Sequence, residues 1–168
     1  MRARSLAFLF VCAVFYVSGC AHYQLGTSGK LSFATLYVAP VTNRTLLPQA
    51  QAIVTTQIRE AFAQDGRVAL APSPDTADAS LEIRIQDYHR DVASVLENDT
   101  GLARKYTLTL EVACTLHSKG TTLFEDRRIR VQRDAFTDGG QLQSEYQTLP
   151  LLSEALAKKV THTVLDVW

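Results

Sequence analysis

Residues 104–116 read RKYTLTLEVACTL, and their apolar positions recur at every second residue. Tyr106, Leu108, Leu110, Val112, Cys114 and Leu116 share one face of an extended chain, while Thr107, Thr109 and Glu111 share the other. A period of two belongs to a strand, because successive side chains point to opposite faces. A strand with one apolar face needs one covered side and tolerates a wet or partnered one, as in antiparallel sheets. SLEIRIQDYHRDV repeats the pattern, with Leu81, Ile83 and Ile85 alternating with Glu82, Arg84 and Gln86. LFEDRRIRVQRD follows the turn HSKGTT and predicts another such strand.

Two amphipathic helices supply the cover. The first is opened by Pro48, where a missing N–H costs little. Ile53, Val54, Ile58, Ala61 and Phe62 form its stripe, Arg59, Glu60 and Gln64 lie off it, and Gly66 is the expected cap. In the second, Leu149, Leu152, Leu156, Val160, Val164 and Trp168 recur at helical spacing. Pro150 places its start near Thr148, since a start near Gln141 puts a proline inside the helix. FATLYVAPV, Phe33 to Val41, precedes the first helix and reads as an interior strand stopping at Pro40. LAPSPDTADA is a loop, and Asp138-Gly139-Gly140 breaks the chain before the last helix. The order β-α-β-β-β-α predicts an α+β fold: one mixed, mostly antiparallel four-stranded sheet with two helices on one face.

The N-terminus constrains where this domain is held. Arg2 and Arg4 precede an apolar run of 12 residues, Leu6 to Val17. A bilayer span takes roughly 20 residues, so the run has the length of a signal-peptide core. It ends in VSGC, Val17 to Cys20, which resembles a bacterial lipobox. That resemblance implies removal of residues 1–19 and lipidation of Cys20. Buried acyl carbons contribute about 0.8 kcal/mol each, enough for several chains to tether a domain without threading it through the membrane. Ala21 is permissive for the outer membrane under enteric-type sorting. Residues 20–32 then form the lipidated Cys and a flexible stalk, and residues 33–168 a single α+β domain.

The processed chain carries 15 basic and 17 acidic residues, a net of −2, which excludes nucleic-acid binding by bulk charge. Cys114 is then the one cysteine left besides Cys20, so no intramolecular disulfide is expected, and its strand position predicts a buried, inert thiol. His22, His89, His117 and His162 form no metal-ligand pair, and no nucleophile elbow or phosphate loop occurs. The carboxylates Glu82, Asp87, Asp91, Glu97 and Asp99 are scattered over polar faces and loops. No cofactor and no metal are expected. The cations are more ordered. Arg104 and Lys105 open one strand, while Arg128 and Arg130 lie on the polar face of the next. A hairpin across HSKGTT brings the latter pair to the level of Thr109 and Glu111. Guanidinium forks suit phosphate and carboxylate oxygens.

Several stretches together resemble one family. Tyr23-Gln24-Leu25-Gly26 follows the lipobox. LYVAPVTNRTLLPQAQAIVTTQIREAF matches a pattern of strand, V-x-P, Asn-x-Thr, proline-opened helix and early threonine. ADASLEIRIQDY enters the next strand, and an amphipathic helix ends the chain at Trp168. The chain is similar to the lipopolysaccharide-assembly lipoproteins, the LptE family. Ala21-His22 and Pro150 depart from its pattern. The resemblance implies a non-catalytic outer-membrane lipoprotein. Its partner is a large β-barrel, LptD, which inserts lipopolysaccharide, and the lipoprotein plugs and helps assemble it. Lipopolysaccharide itself is a second expected ligand, with Arg104, Lys105, Arg128 and Arg130 as contacts for lumen acids or lipid phosphates. Two other classes fit the residues: a lipoprotein subunit of another lipid-transport or secretion complex, and a small hydrolase drawing on His89, His117 or Asp87.

Overall fold

A computed structural model describes residues 31–47, 49–96, 99–136 and 141–166. The leader, Cys20, the stalk up to residue 30, Pro48, Glu97, Gly139-Gly140 and Trp168 lie outside the described residues. The elements run β1 (Thr35–Val38), β2 (Thr42–Asn43), α1 (Ala50–Asp65), β3 (Ala69–Leu70), a 3-10 turn (Pro74–Thr76), β4 (Ala79–Leu96), β5 (Asp99–Ser118), β6 (Thr121–Phe136) and α2 (Gln141–Leu165). One sheet has the order β3-β1-β4-β5-β6, and β2 pairs with β4 off that path. β1 is parallel to both neighbours, whereas β4, β5 and β6 are antiparallel.

The fold is the expected α+β plan with six strands in place of four. The two additional strands have two residues each, and both have a local cause. Pro40 has no N–H to donate, so the strand expected over 33–41 stops at Val38, and the chain rejoins β4 at Thr42. The loop after α1 touches β1 long enough for Ala69 and Ala71 to donate to the carbonyls of Ala34 and Leu36, at 2.9 and 3.0 Å.

Both helices cover the same face. Leu81, Ile83 and Ile85 of β4 are buried there with Leu108, Leu110, Val112, Cys114 and Leu116 of β5. α1 contributes Val54, Ile58 and Phe62; α2 contributes Leu152, Leu156, Val160 and Val164. Each large side chain fully buried in this way is worth about 1.5–3 kcal/mol relative to exposure. Gly66 caps α1 at φ 74°, a left-handed conformation that favours glycine, and its N–H reaches the Phe62 carbonyl. Cys114 is buried, and burial pushes its thiol up to about 12, so it stays an unreactive thiol.

α2 begins at Gln141 rather than near Thr148, and Pro150 lies inside it. Pro150 cannot donate to the Tyr146 carbonyl, but both residues are exposed, so the released carbonyl faces water. The helix ahead of the proline is held from the sheet side. Glu145 pairs with Arg90 of β4, and Ser144 donates to the Phe136 carbonyl.

The two ends of the sheet are built differently. At one end, the Asp78 carboxylate accepts from the backbone N–H groups of Ala34 and Thr35, each at 3.0 Å. Ser118 and the Lys119 N–H donate to its carbonyl. This ties the start of β1 to the β5–β6 turn, where Lys119 and Gly120 adopt φ of 49° and 79°. The same hydrogen bonds hold the Asp78 carboxyl below its usual range. At this end Arg67 also bridges Asp65, the last residue of α1, to Asp166, just beyond α2. The other end is a three-stranded ribbon, because β4 has no partner on its β1 side beyond Ile85 among the described residues.

Candidate interaction surface on the helix-free face

The face of the sheet that carries no helix holds ordered rows of polar side chains. Alternation along β4, β5 and β6 selects the residues, and two bulges set which rows line up. An irregularity between Ile85 and Asp87 reverses the parity of β4, so Asp87, His89 and Asp91 lie on the helix-free side. A second, opposite Thr115, places Asp126 at φ 47°, and the Asp126 N–H donates to Thr115 Oγ1 at 3.2 Å. The resulting rows are Arg84–Ala113–Arg128, Asp87–Glu111–Arg130, His89–Thr109–Gln132 and Asp91–Thr107–Asp134.

The predicted cations are separated by this register. Arg128 and Arg130 do reach Glu111: Arg130 is its direct partner, and Arg128 Nη1 lies 3.6 Å from Glu111 Oε1. The Arg128 side chain is 80% exposed, so this pair is worth only about 0–1 kcal/mol and leaves the guanidinium available. Arg130 is exposed and makes no ion pair among the described residues. Lys105 lies six residues along β5 from Glu111, about 20 Å away. It pairs with Asp134 at 2.9 Å and lies over the Phe136 ring. That bond and one from Thr107 hold the Asp134 carboxyl below its usual range. The side chain of Arg104 lies outside the described part of the molecule.

Arg84 belongs with Arg128 and Arg130, and sequence reasoning gave it no role. It stands across Ala113 from Arg128, two strand spacings or about 10 Å away. Ala113 between them is small and buried. Arg84 pairs with Asp126 through Nη2, but its Nε is buried without a hydrogen-bond partner. A buried donor without an acceptor costs roughly 1–3 kcal/mol. The alternation of SLEIRIQDY marks Arg84 as a polar-face residue; only the cross-strand register puts it beside Arg128.

Of the hydrolase candidates, His89 and Asp87 meet and His117 stands apart. His89 Nδ1 lies 2.7 Å from Asp87 and its Nε2 lies 3.4 Å from Asp91, so both ring nitrogens face carboxylates. The hydroxyl opposite, Thr109, already accepts from Gln132 at 3.1 Å. His117 contacts Thr122 at 3.0 Å, at the turn end of the same hairpin. Among the described residues no group of three or more His, Cys, Asp or Glu is arranged to hold a metal.

The comparisons with known proteins agree with this architecture. Solved structures of similar fold include a minor lipoprotein from Acinetobacter baumannii, at 18% identity, TM-score 0.54, covering 80% of this chain and 94% of that one. An uncharacterized lipoprotein B from Nitrosomonas europaea matches at 16% identity and TM-score 0.53, covering 86% and 88%. The rare lipoprotein B from Shewanella oneidensis matches at 16% identity and TM-score 0.50, covering 79% and 91%. At these identities the likeness is one of fold. Among curated proteins none matches the chain. The profile of the lipopolysaccharide-assembly family LptE matches residues 33–164, which include β1 to β6, both helices up to the last turn of α2, and Arg84, Arg128 and Arg130. The chain therefore belongs to the LptE lipopolysaccharide-assembly family.

Proposed function

We propose that this protein is a lipid-anchored, non-catalytic outer-membrane lipoprotein. In this reading it plugs and helps assemble a large LptD-like β-barrel and contacts lipopolysaccharide directly. Family membership over residues 33–164 carries the reading. The helix-free face supports it chemically. A β-barrel lumen is polar, and a plug inside one needs a surface of hydrogen-bonding side chains on a rigid support. The rows of Thr107, Glu111, Arg128, Arg130 and Gln132 are such a surface. Lipopolysaccharide carries phosphates, and the exposed Arg128 and Arg130 offer guanidinium forks to receive them, with Arg84 on the same face across Ala113.

The anchor is the acylated Cys20, placed by residues 20–32 ahead of the domain at 33–168. β1 begins at the Asp78 end, and β4 runs from there to Leu96 at its far end. Leu96 stands about 60 Å along β4 from that end, from the rise of an 18-residue strand.

Tagged full-length protein purified from its native outer membrane is expected to bring one large β-barrel with it, and the Cys20→Ala form is expected to leave the membrane fraction when the barrel is absent. Recovery of the tagged protein alone, or with an inner-membrane ATPase system, contradicts the assignment.

A further inference from the structure

β6 is the last strand of the sheet, and its outer edge carries no strand among the described residues. From Arg127 to Phe136 it pairs with β5 position by position, without a bulge and without a proline. Which of its backbone groups face outward follows from the far side of the sheet. The Leu81 and Ile85 carbonyls accept from the Ala39 and Arg44 N–H groups, so the backbone of those two residues turns away from β5. Ile85 is therefore a non-hydrogen-bonded partner of Val112, and Val112 exchanges its hydrogen bonds with Ile129. Alternation then turns the N–H and C=O groups of Arg128, Arg130, Gln132 and Asp134 to the free edge. The Arg130 carbonyl accepts from Lys159 Nζ at 3.0 Å and keeps a second lone pair. Among the described residues these outward groups have no other partner. The four side chains are exposed on the helix-free face.

We infer that this edge pairs with the same edge of a second copy of the chain, antiparallel, about a twofold axis at Val131. An exposed regular edge is a template for another strand, and a twofold contact must be complementary to itself. The edge meets that condition. With Val131 opposite Val131, Arg128 of each copy stands opposite Asp134 of the other, and Arg130 stands opposite Gln132. Opposite charges across such a pair stabilise it, and the symmetry supplies the pair twice. Asp134 is fixed by Lys105 and Thr107 on its own chain, and its side chain, 45% exposed, has lone pairs left for a guanidinium. The four outward residues of each copy exchange about eight backbone hydrogen bonds. Val131, half-buried against the core, meets its copy on the helix-covered side. An axis at Arg130 sets the two Arg130 side chains against each other instead. Pairing draws on Arg128 and Arg130, which the barrel reading gives to other partners, so the dimer is a form of the chain apart from its barrel. The inference does not rest on that reading.

The test uses the full chain, purified in mild detergent and freed of any barrel. Under mild oxidation Val131→Cys is expected to give a disulfide-linked dimer, because opposed Cα atoms of a non-hydrogen-bonded pair stand about 4.5 Å apart, within disulfide reach. Glu125→Cys, exposed on the same strand and about 40 Å from its copy in this register, is expected to give none. Nor is the parent, whose Cys114 is buried. Arg128→Asp and Asp134→Arg, each alone, are expected to weaken dimerisation about tenfold in sedimentation equilibrium, and the two together to restore it. Thermal melting close to the parent's establishes that each variant is folded. A folded Val131→Cys chain that stays monomeric, or that links no faster than Glu125→Cys, overturns the inference and leaves the plug reading intact. So does a double exchange that dimerises no better than the single ones. A link through Gln132→Cys in place of Val131→Cys overturns the register.

Discussion

The two faces of the central hairpin share a backbone and differ in everything else. On the covered face, Leu108, Leu110, Val112, Cys114 and Leu116 of β5 are each fully buried beneath two helices. On the other, Thr109, Ala113 and Thr115 are also buried, although no helix lies over them. Their cover is made by the neighbouring side chains: Gln132 on Thr109 and the bulge at Asp126 on Thr115. One face is closed by hydrophobic packing, which is insensitive to the identity of any partner. The other is closed by hydrogen bonds and ion pairs, which exchange readily with a partner's groups. Within one strand, the fold thus separates the residues that hold it from those free to bind.

The largest effect should come from opening the covered face. Phe62→Ala removes a fully buried ring between α1 and the sheet and is expected to destabilise the domain by about 3–5 kcal/mol, read by denaturant unfolding. A loss below about 1 kcal/mol would mean that α1 is not seated as described. The end tie comes next. Asp78→Asn keeps the shape but weakens the acceptor for the Ala34 and Thr35 N–H groups, and should lower Tm measurably. The folded Asp78 carboxyl titrates below its unfolded value, so its stabilisation is present above the ordinary aspartate pKa of about 3.9 and is lost as pH falls through the folded one. Asp65, Asp134 and Asp166 are lowered in the same direction, chiefly by their bonds to Arg67, Lys105 and Arg67 respectively. The parent should therefore lose stability progressively below pH about 4, and Asp78→Asn should show a shallower loss. The smallest change in stability belongs to the helix-free face. Glu111→Gln should alter it by less than about 1 kcal/mol, because the Arg128 partner is mostly in water and Asp87 opposes Glu111 with like charge.

Much of the covered face was legible in the sequence. The alternation Leu81, Ile83, Ile85 and the stripe Val54, Ile58, Phe62 appear in the structure as buried sets, because burial on one face is what enforces a period. Gly66 was legible because a left-handed cap favours one residue type. The start of α2 was not. A proline inside a helix is costly in isolation, but contacts from Ser144 and Glu145 to the sheet sustain the turns ahead of Pro150. The helix-free face was legible only in composition. Arg128 and Arg130 lie at the level of Glu111 as expected, through the hairpin turn at Lys119-Gly120 and the register shifts between Cys114 and His117. Lys105 was grouped with them, yet strand length carries it to the far end. Arg84 was given no role, because its neighbours depend on pairing between strands, which no local pattern encodes.

The separation of the two faces is tested most directly by reversing charge on the open one. The Arg128→Glu/Arg130→Glu chain, tagged and expressed in its native outer membrane, should melt within a few degrees of the parent. It should nevertheless recover markedly less of the barrel or bind markedly less lipopolysaccharide. Unchanged melting together with unchanged capture and unchanged lipopolysaccharide binding would contradict the assignment of this face to partners.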